Sequence, residues 1–251
     1  MRILILPLCC LFFACAPRLF GGELEDFTKA AANGNVVAQT HLGIMYLTGR
    51  GVPQDYAKAV ELFQKAAAQG QAKAQNNLGL MYHKGNGVPQ DSAKAVEWYQ
   101  KAAAQGDPEA QNNLGIMYVS GRGVPKNQAK AVEWWLKGAA QGSANAQCNL
   151  GKMYANGTGV PQDDAKAVEF FQKAAAQGDA KAQALLGVMY EHGRGVPRDD
   201  ARAYAWYSLA AAQGQANVAE MRDTLEAKMT PAQLAAAQKL SSELLAKMPK
   251  R

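Results

Sequence analysis

Residues 35–70 read NVVAQTHLGIMYLTGRGVPQDYAKAVELFQKAAAQG, and residues 71–106 read QAKAQNNLGLMYHKGNGVPQDSAKAVEWYQKAAAQG. The Leu-Gly pair at Leu42–Gly43 and Leu78–Gly79 returns at Leu114–Gly115, Leu150–Gly151 and Leu186–Gly187. Gly-Val-Pro begins at Gly51, Gly87, Gly123, Gly159 and Gly195, so every interval is 36 residues with no insertion. A fixed period of this size is the signature of a stacked array, in which each unit buries its apolar face on its neighbours. The units run 35–70, 71–106, 107–142, 143–178 and 179–214. A half unit, Leu24–Gly34, precedes them and ends on Asn33–Gly34 where later units end on Gln-Gly.

Each unit reads as two helices. Ala38, Leu42, Met45 and Tyr46 fall on one face of a 3.6-residue helix over about 36–48. Gly49-Arg50-Gly51 ends it, since glycine adopts the left-handed backbone of a helix terminus without strain. Asp55, repeated as Asp91, Asn127, Asp163 and Asp199, is placed to cap a second helix over about 56–69. That helix carries an aromatic or aliphatic pair: Leu62–Phe63, Trp98–Tyr99, Trp134–Trp135, Phe170–Phe171 and Trp206–Tyr207.

The run Ala-x-x-x-Leu-Gly-x-Met-Tyr-x-x-Gly-x-Gly-Val-Pro-x-Asp-x-x-Lys-Ala-x-x-Trp-x-x-x-Ala-Ala-x-x-Gly resembles the Sel1-like repeat, a relative of the tetratricopeptide repeat with a longer inter-helix loop. The resemblance covers residues 35–214. It implies an all-α fold: a right-handed α-solenoid of five 36-residue helix–loop–helix repeats that serves as an adaptor or assembly platform for other proteins. One branch of the family carries a cysteine pair in each repeat and is linked to β-lactam binding; those pairs are missing here.

The ends differ from the repeats. Arg2 precedes an uncharged run from Ile3 to Pro17, too short to span a bilayer as a stable helix, with small residues at Ala14–Cys15–Ala16. Residues 1–22 therefore read as an export signal. It is either cleaved, leaving a soluble periplasmic or secreted chain, or of the lipoprotein type with Cys15 modified, or kept as an anchor. Residues 23–34 form an N-terminal half-repeat cap and 215–251 capping helices. In the fifth unit the recurring outer-face trio Lys58, Glu61, Lys65 becomes Arg202, Ala205, Leu209, an apolar surface that needs cover. Thr230-Pro231-Ala232-Gln233 starts a helix with a capping box, and Leu234, Ala237, Leu240, Leu244 and Met248 give it an apolar stripe.

Composition limits the function. The chain is 48% hydrophobic and 19% charged, so it is not disordered. Its net charge of +6 alternates along the helices without clustering, which argues against nucleic acid as a partner. Outside the first 22 residues the only cysteine is Cys148, read as a buried small residue rather than a nucleophile. His41, His83 and His192 lie in different units without metal-ligand spacing, and no serine is followed by lysine at the third position. No cofactor is expected, and the chain is not read as an enzyme.

Residues identical in every unit are packing residues, so function falls to what varies. On the first helices, positions 37, 41, 44 and 48 and their copies form a stripe about 110° from the packing face. Its variable contents include His41, Lys73, Asn77, Lys84, Glu109, Asn113, Asn149, Lys152, Asn156, Lys181 and His192. First helices of such solenoids line a concave side, and the asparagines at Asn77, Asn113 and Asn149 could hydrogen-bond an extended peptide backbone. The reading is a non-enzymatic protein–protein interaction scaffold or adaptor of the cell envelope, monomeric, binding a protein or peptide and touching the membrane only through a lipid on Cys15. The alternatives are a weak hydrolase or binder of cell-wall glycopeptide or β-lactams, and self-assembly through an exposed end.

Overall fold

The computed structural model describes residues 20–249. Most of the expected export segment, with Cys9, Cys10 and Cys15, lies outside them. Thirteen helices and no strand are found among the described residues. Their contacts gather into two compact units, one ending at Asp91 and the other beginning at Ser92.

The first unit holds α1 (Phe20–Ala32), α2 (Val36–Thr48), α3 (Tyr56–Ala68) and α4 (Ala72–Lys84), each packed on the next. The second holds α5 (Ser92–Ala104), α6 (Pro108–Ser120), α7 (Gln128–Ala140), α8 (Ala144–Asn156), α9 (Asp164–Ala176), α10 (Ala180–His192) and α11 (Asp200–Ala211). There α12 (Ala216–Glu226) and α13 (Pro231–Lys247) both pack on α11. Within each unit the helices form the stacked helix–loop–helix pairs of an α-solenoid.

Local chemistry sets the helix limits. The side chain of Asp55 accepts from the Lys58 N–H at 3.0 Å, and Asn127, Asp163 and Asp199 do the same for their helices. First helices are capped as well, a feature the sequence reading passed over: Asn35, Asp107, Ser143 and Asp179 accept from the third N–H onward. At the other end Gly49 takes φ +71°, and its N–H bonds Met45 O at 2.8 Å. The long loop then folds back: the N–H of Asp55 reaches Tyr46 O at 2.9 Å, a bond repeated from Asn127, Asp163 and Asp199.

Close approach within a pair depends on the glycine of Leu-Gly. A Cβ on Gly43 would stand 2.6 Å from Phe63 Cε1, and one on Gly187 would stand 2.5 Å from Tyr207 Cδ1. The second member of each aromatic pair fills that space: Phe63, Tyr99, Trp135, Phe171 and Tyr207 are all at most 4% exposed. In the second to fourth repeats the first members lie outside them, and the trio lysines cover their rings. Lys101 Nζ sits 4.1 Å from the Trp98 centroid and Lys137 Nζ 4.3 Å from that of Trp134.

A polar ladder, unforeseen from the sequence, runs through this apolar packing. Gln39 Nε2 donates to Ala31 O at 3.1 Å, and Gln75, Gln111, Gln147 and Gln183 donate to Ala67, Ala103, Ala139 and Ala175 at 3.2–3.3 Å. Each bond ties a first helix to the carboxyl end of the second helix before it. The Oε1 atoms of Gln39, Gln111, Gln147 and Gln183 in turn accept from Gln69, Gln141, Gln177 and Gln213 at 2.8–3.1 Å. Buried amides with both ends used fix the register of neighbouring helices.

The apolar face of the last repeat is covered as expected. Ala205 and Leu209 are 0% and 5% exposed beneath the carboxyl-terminal helices. Leu234, Leu244 and Met248 of the last segment pack into the same core, and Ala237 is fully buried in it. Thr230 and Gln233 make the capping box that starts α13.

Candidate functional site: the first-helix faces

The stripe residues sit where helical phase puts them, beside the packing face and open to solvent. In the first unit Val37, His41, Thr48, Lys73 and Lys84 are exposed, while Ile44, Asn77 and Leu80 are half-buried. In the second unit Glu109, Ile116, Ser120, Asn145, Asn156, Lys181 and His192 are exposed. Asn113, Asn149, Lys152, Leu185 and Val188 are half-buried there. Four large apolar side chains stand exposed among the described residues, and two of them, Val37 at 56% and Ile116 at 42%, are on the stripe. Unpaired apolar surface on a face of varied polar residues is what a partner surface offers.

The asparagines are less free than their spacing suggested. Asn149 Nδ2 donates to Asn112 Oδ1 at 3.0 Å, so its amide joins α8 to α6, and these first helices touch directly. Asn112 was missed because it sits one position off the stripe. It is 8% exposed, and its backbone carbonyl also accepts from Trp135 Nε1 at 3.1 Å. In the first unit the Nδ2 atom of Asn77 is buried and makes no hydrogen bond.

Phe27 and Arg50 are the other residues the stripe reading left out. They line a recess of about 280 Å³ in the first unit together with His41, Ile44, Met45 and Lys73. His41 stacks on Phe27 with ring centroids 5.3 Å apart and planes at 27°. The expected signal for Phe27 was present in its register: it is one repeat before Phe63.

Titratable groups elsewhere are shaped by the scaffold. Burial pushes the Cys148 thiol up to about 12, and the side chain is 3% exposed. Burial and the bond it donates to Glu191 at 2.7 Å raise the Tyr207 hydroxyl far above the ordinary phenol range. The Lys58 N–H holds the Asp55 carboxyl below its usual value. Among the described residues no three His, Cys, Asp or Glu side chains converge as a metal site would require, and no helix is long and apolar enough to cross a membrane.

The Sel1 repeat profile matches residues 36–71, 72–107, 108–143, 144–179 and 180–215, the same five periods within one residue of the frame drawn above. The chain belongs to the Sel1-repeat family. A Sel1-repeat protein from Oxalobacter formigenes is 33% identical over 90% of this chain and 94% of its own, with a TM-score of 0.77. A protective antigen present in uropathogenic Escherichia coli strains, displaying the same repeat fold, is 34% identical over 89% of this chain and 56% of its own, with a TM-score of 0.57. A Sel1-repeat protein from Klebsiella pneumoniae is 25% identical over 81% of this chain and 99% of its own, with a TM-score of 0.56. No curated protein matches the chain. Sel1-repeat proteins are in general scaffolds that bind other proteins.

Proposed function

We propose that this Sel1-repeat chain is a non-enzymatic scaffold of the bacterial cell envelope that holds a protein or peptide partner on the first-helix faces of its units. The observation that carries the reading is the contrast between faces. Outer faces of the first four repeats carry the same Lys-Glu-Lys trio, with pairs such as Lys65–Glu61 at 2.6 Å, and so present one chemistry. First-helix faces change in every repeat and leave Val37 and Ile116 open. In the second unit α6, α8 and α10 supply Glu109, Asn113, Asn149, Lys152, Asn156, Lys181 and His192; in the first, α2 and α4 supply His41, Lys73, Asn77 and Lys84. Asn149 contributes its Oδ1 as an acceptor, one of its two amide N–H donors being engaged by Asn112. Affinity on such a face builds from many modest contacts around a few apolar anchors. The segment 1–22, with its apolar run, supports export and with it a partner in the envelope.

The test is photo-crosslinking in a bacterial host from the full chain, with a benzophenone amino acid placed singly at Ile116 or Val188, and at Glu133 or Glu169 of the outer face. A discrete adduct from the first two positions and none from the last two supports the reading. Equal adducts from all four positions, or none from the stripe, rule it out. Cell fractionation of the same strain checks the envelope assignment, and a chain found wholly in the cytoplasm refutes that part.

A further inference from the structure

The recess in the first unit exists because α1 is a second helix without a first helix paired to it among the described residues. Every later copy of Phe27 (Phe63, Tyr99, Trp135, Phe171, Tyr207) is buried, those next to Gly43, Gly115, Gly151 and Gly187 against the glycine of the same repeat. Phe27 stays half-buried and instead forms one wall of a pocket with Ile44 and Met45. His41, Arg50 and Lys73 stand around this apolar floor, and no carboxylate of the described residues lines it.

The two rim cations lack the acid partners that several other basic residues of the repeats have. Arg194, the fifth-repeat copy of Arg50, closes on Asp164 with Nε and Nη2 at 3.1 and 2.8 Å. Thirty residues before Arg50 the sequence has Phe20 where Arg194 finds Asp164. The trio lysines pair with acids of their own helix, as Lys65 does with Glu61. Lys73 has Gln69 four residues before it and Asn77 four after it, so no acid stands at that spacing. Neither Arg50 nor Lys73 forms an ion pair among the described residues, and both are exposed. A volume of about 280 Å³ lies at the lower end of small-molecule sites and suits a single large side chain rather than a cofactor.

We propose that the recess seats one large apolar side chain of an acidic peptide segment, whose flanking carboxylates meet Arg50 and Lys73. This rests on the scaffold reading above and gives the partner a chemistry: acidic, with an apolar anchor. Cations without acids beside an apolar floor attract such a segment and repel a basic one. Acidity alone secures little at an exposed rim, and the anchor alone gains no orientation.

The test is fluorescence polarisation with the full chain and three labelled nonapeptides: phenylalanine flanked by glutamates, alanine flanked by glutamates, and phenylalanine flanked by lysines. The first should bind at least about tenfold more tightly than the other two, and weaken as salt rises. Arg50→Glu with Lys73→Glu should cost about tenfold or more by charge reversal. Thr48→Trp, at an exposed residue that also lines the recess, should cost as much while leaving every charge in place. Thermal melts of both variants verify that they are folded. Equal binding of the lysine peptide, or unchanged binding by the charge-reversed variant, overturns the proposal. Unchanged binding by Thr48→Trp overturns it too, since surface charge alone then suffices. Adducts from Ile116 in the second unit do not depend on this recess, so their persistence alongside a failed peptide assay refutes the recess and spares the scaffold.

Discussion

Adding one methyl group at Gly151 should destabilise the protein, and adding the same group at Gly138 should not. Gly151 lies within α8 against the Phe171 ring of α9, and a Cβ there would stand 2.6 Å from Cε1 and 2.7 Å from Cδ1. Carbon atoms at rest stand about 3.5–4.0 Å apart, so the ring would have to withdraw by about 1 Å. Phe171 is 1% exposed, packed in a core with Ala167, Val168 and Leu186, and has no room to do so. Overpacking of this kind costs about 1–3 kcal/mol, offset by about 1 kcal/mol from the better helix propensity of alanine. Because Phe171 cannot withdraw, the cost falls at the upper end of that range, about 2–3 kcal/mol, and the net loss of about 1–2 kcal/mol lowers Tm by about 2–8 °C for a chain of this size. Gly138 of α7 is the control. A Cβ there meets Ala146 Cβ at 3.0 Å, yet the four sister repeats hold Ala66, Ala102, Ala174 and Ala210 at that position, all fully buried. Gly138→Ala should therefore keep the propensity gain and raise Tm by about 2–4 °C. Calorimetry and urea titration of the two variants read both signs. A Gly151→Ala protein as stable as the parent would refute the close-approach account of the Leu-Gly pair, and Phe171→Leu in the same chain should recover part of the loss.

Three further expectations follow from the same packing. Gln183→Met keeps the volume but removes the bonds to Ala175 O and from Gln213, and should cost about 1–3 kcal/mol in urea unfolding; a neutral effect would mean the glutamine ladder adds no stability. Removing residues 230–251 uncovers Ala205 and Leu209, so the shortened chain should bind a hydrophobic dye and melt at clearly lower temperature; an unchanged melt would show that α13 is dispensable. Cys148 has a thiol raised by burial to about 12 from an ordinary 9.0, so an aromatic disulfide reagent at pH 8 should label it only on unfolding. The sign in pH follows: the folded state disfavours the thiolate, so this group's contribution is whole below about 9 and is lost as pH rises toward 12, and Cys148→Ala should flatten that part of the stability profile.

Much of the fold was legible because each repeat carries its instructions within a few residues. Asp55 caps a helix through an N–H three residues away, Gly49 ends one through a carbonyl four residues back, and the apolar spacing of Leu42, Met45 and Tyr46 fixes which face is buried. The bare face of the fifth repeat and its cover were readable too, since Ala205 and Leu209 break a pattern that four repeats keep. The glutamine ladder was equally repetitive but escaped notice, because a polar residue at helical spacing looks like surface until its partners are known.

The site was less legible. His41 and Lys73 could be placed on an open stripe from their phase, but not that Phe27 and Arg50 share a recess with them. Asn149 could be placed near its stripe but not seen to spend its amide on Asn112, 37 residues earlier. Sequence by itself determined the helices, their caps, the period and the residues common to all repeats, since these depend on interactions between near neighbours in the chain. Tertiary structure alone decided which polar groups find partners 30 or more residues away and which, like Arg50 and Lys73, form no ion pair among the described residues. Those outcomes depend on the angle and rise between stacked helices, and on the half-buried Phe27 of a helix with no first helix paired to it among the described residues.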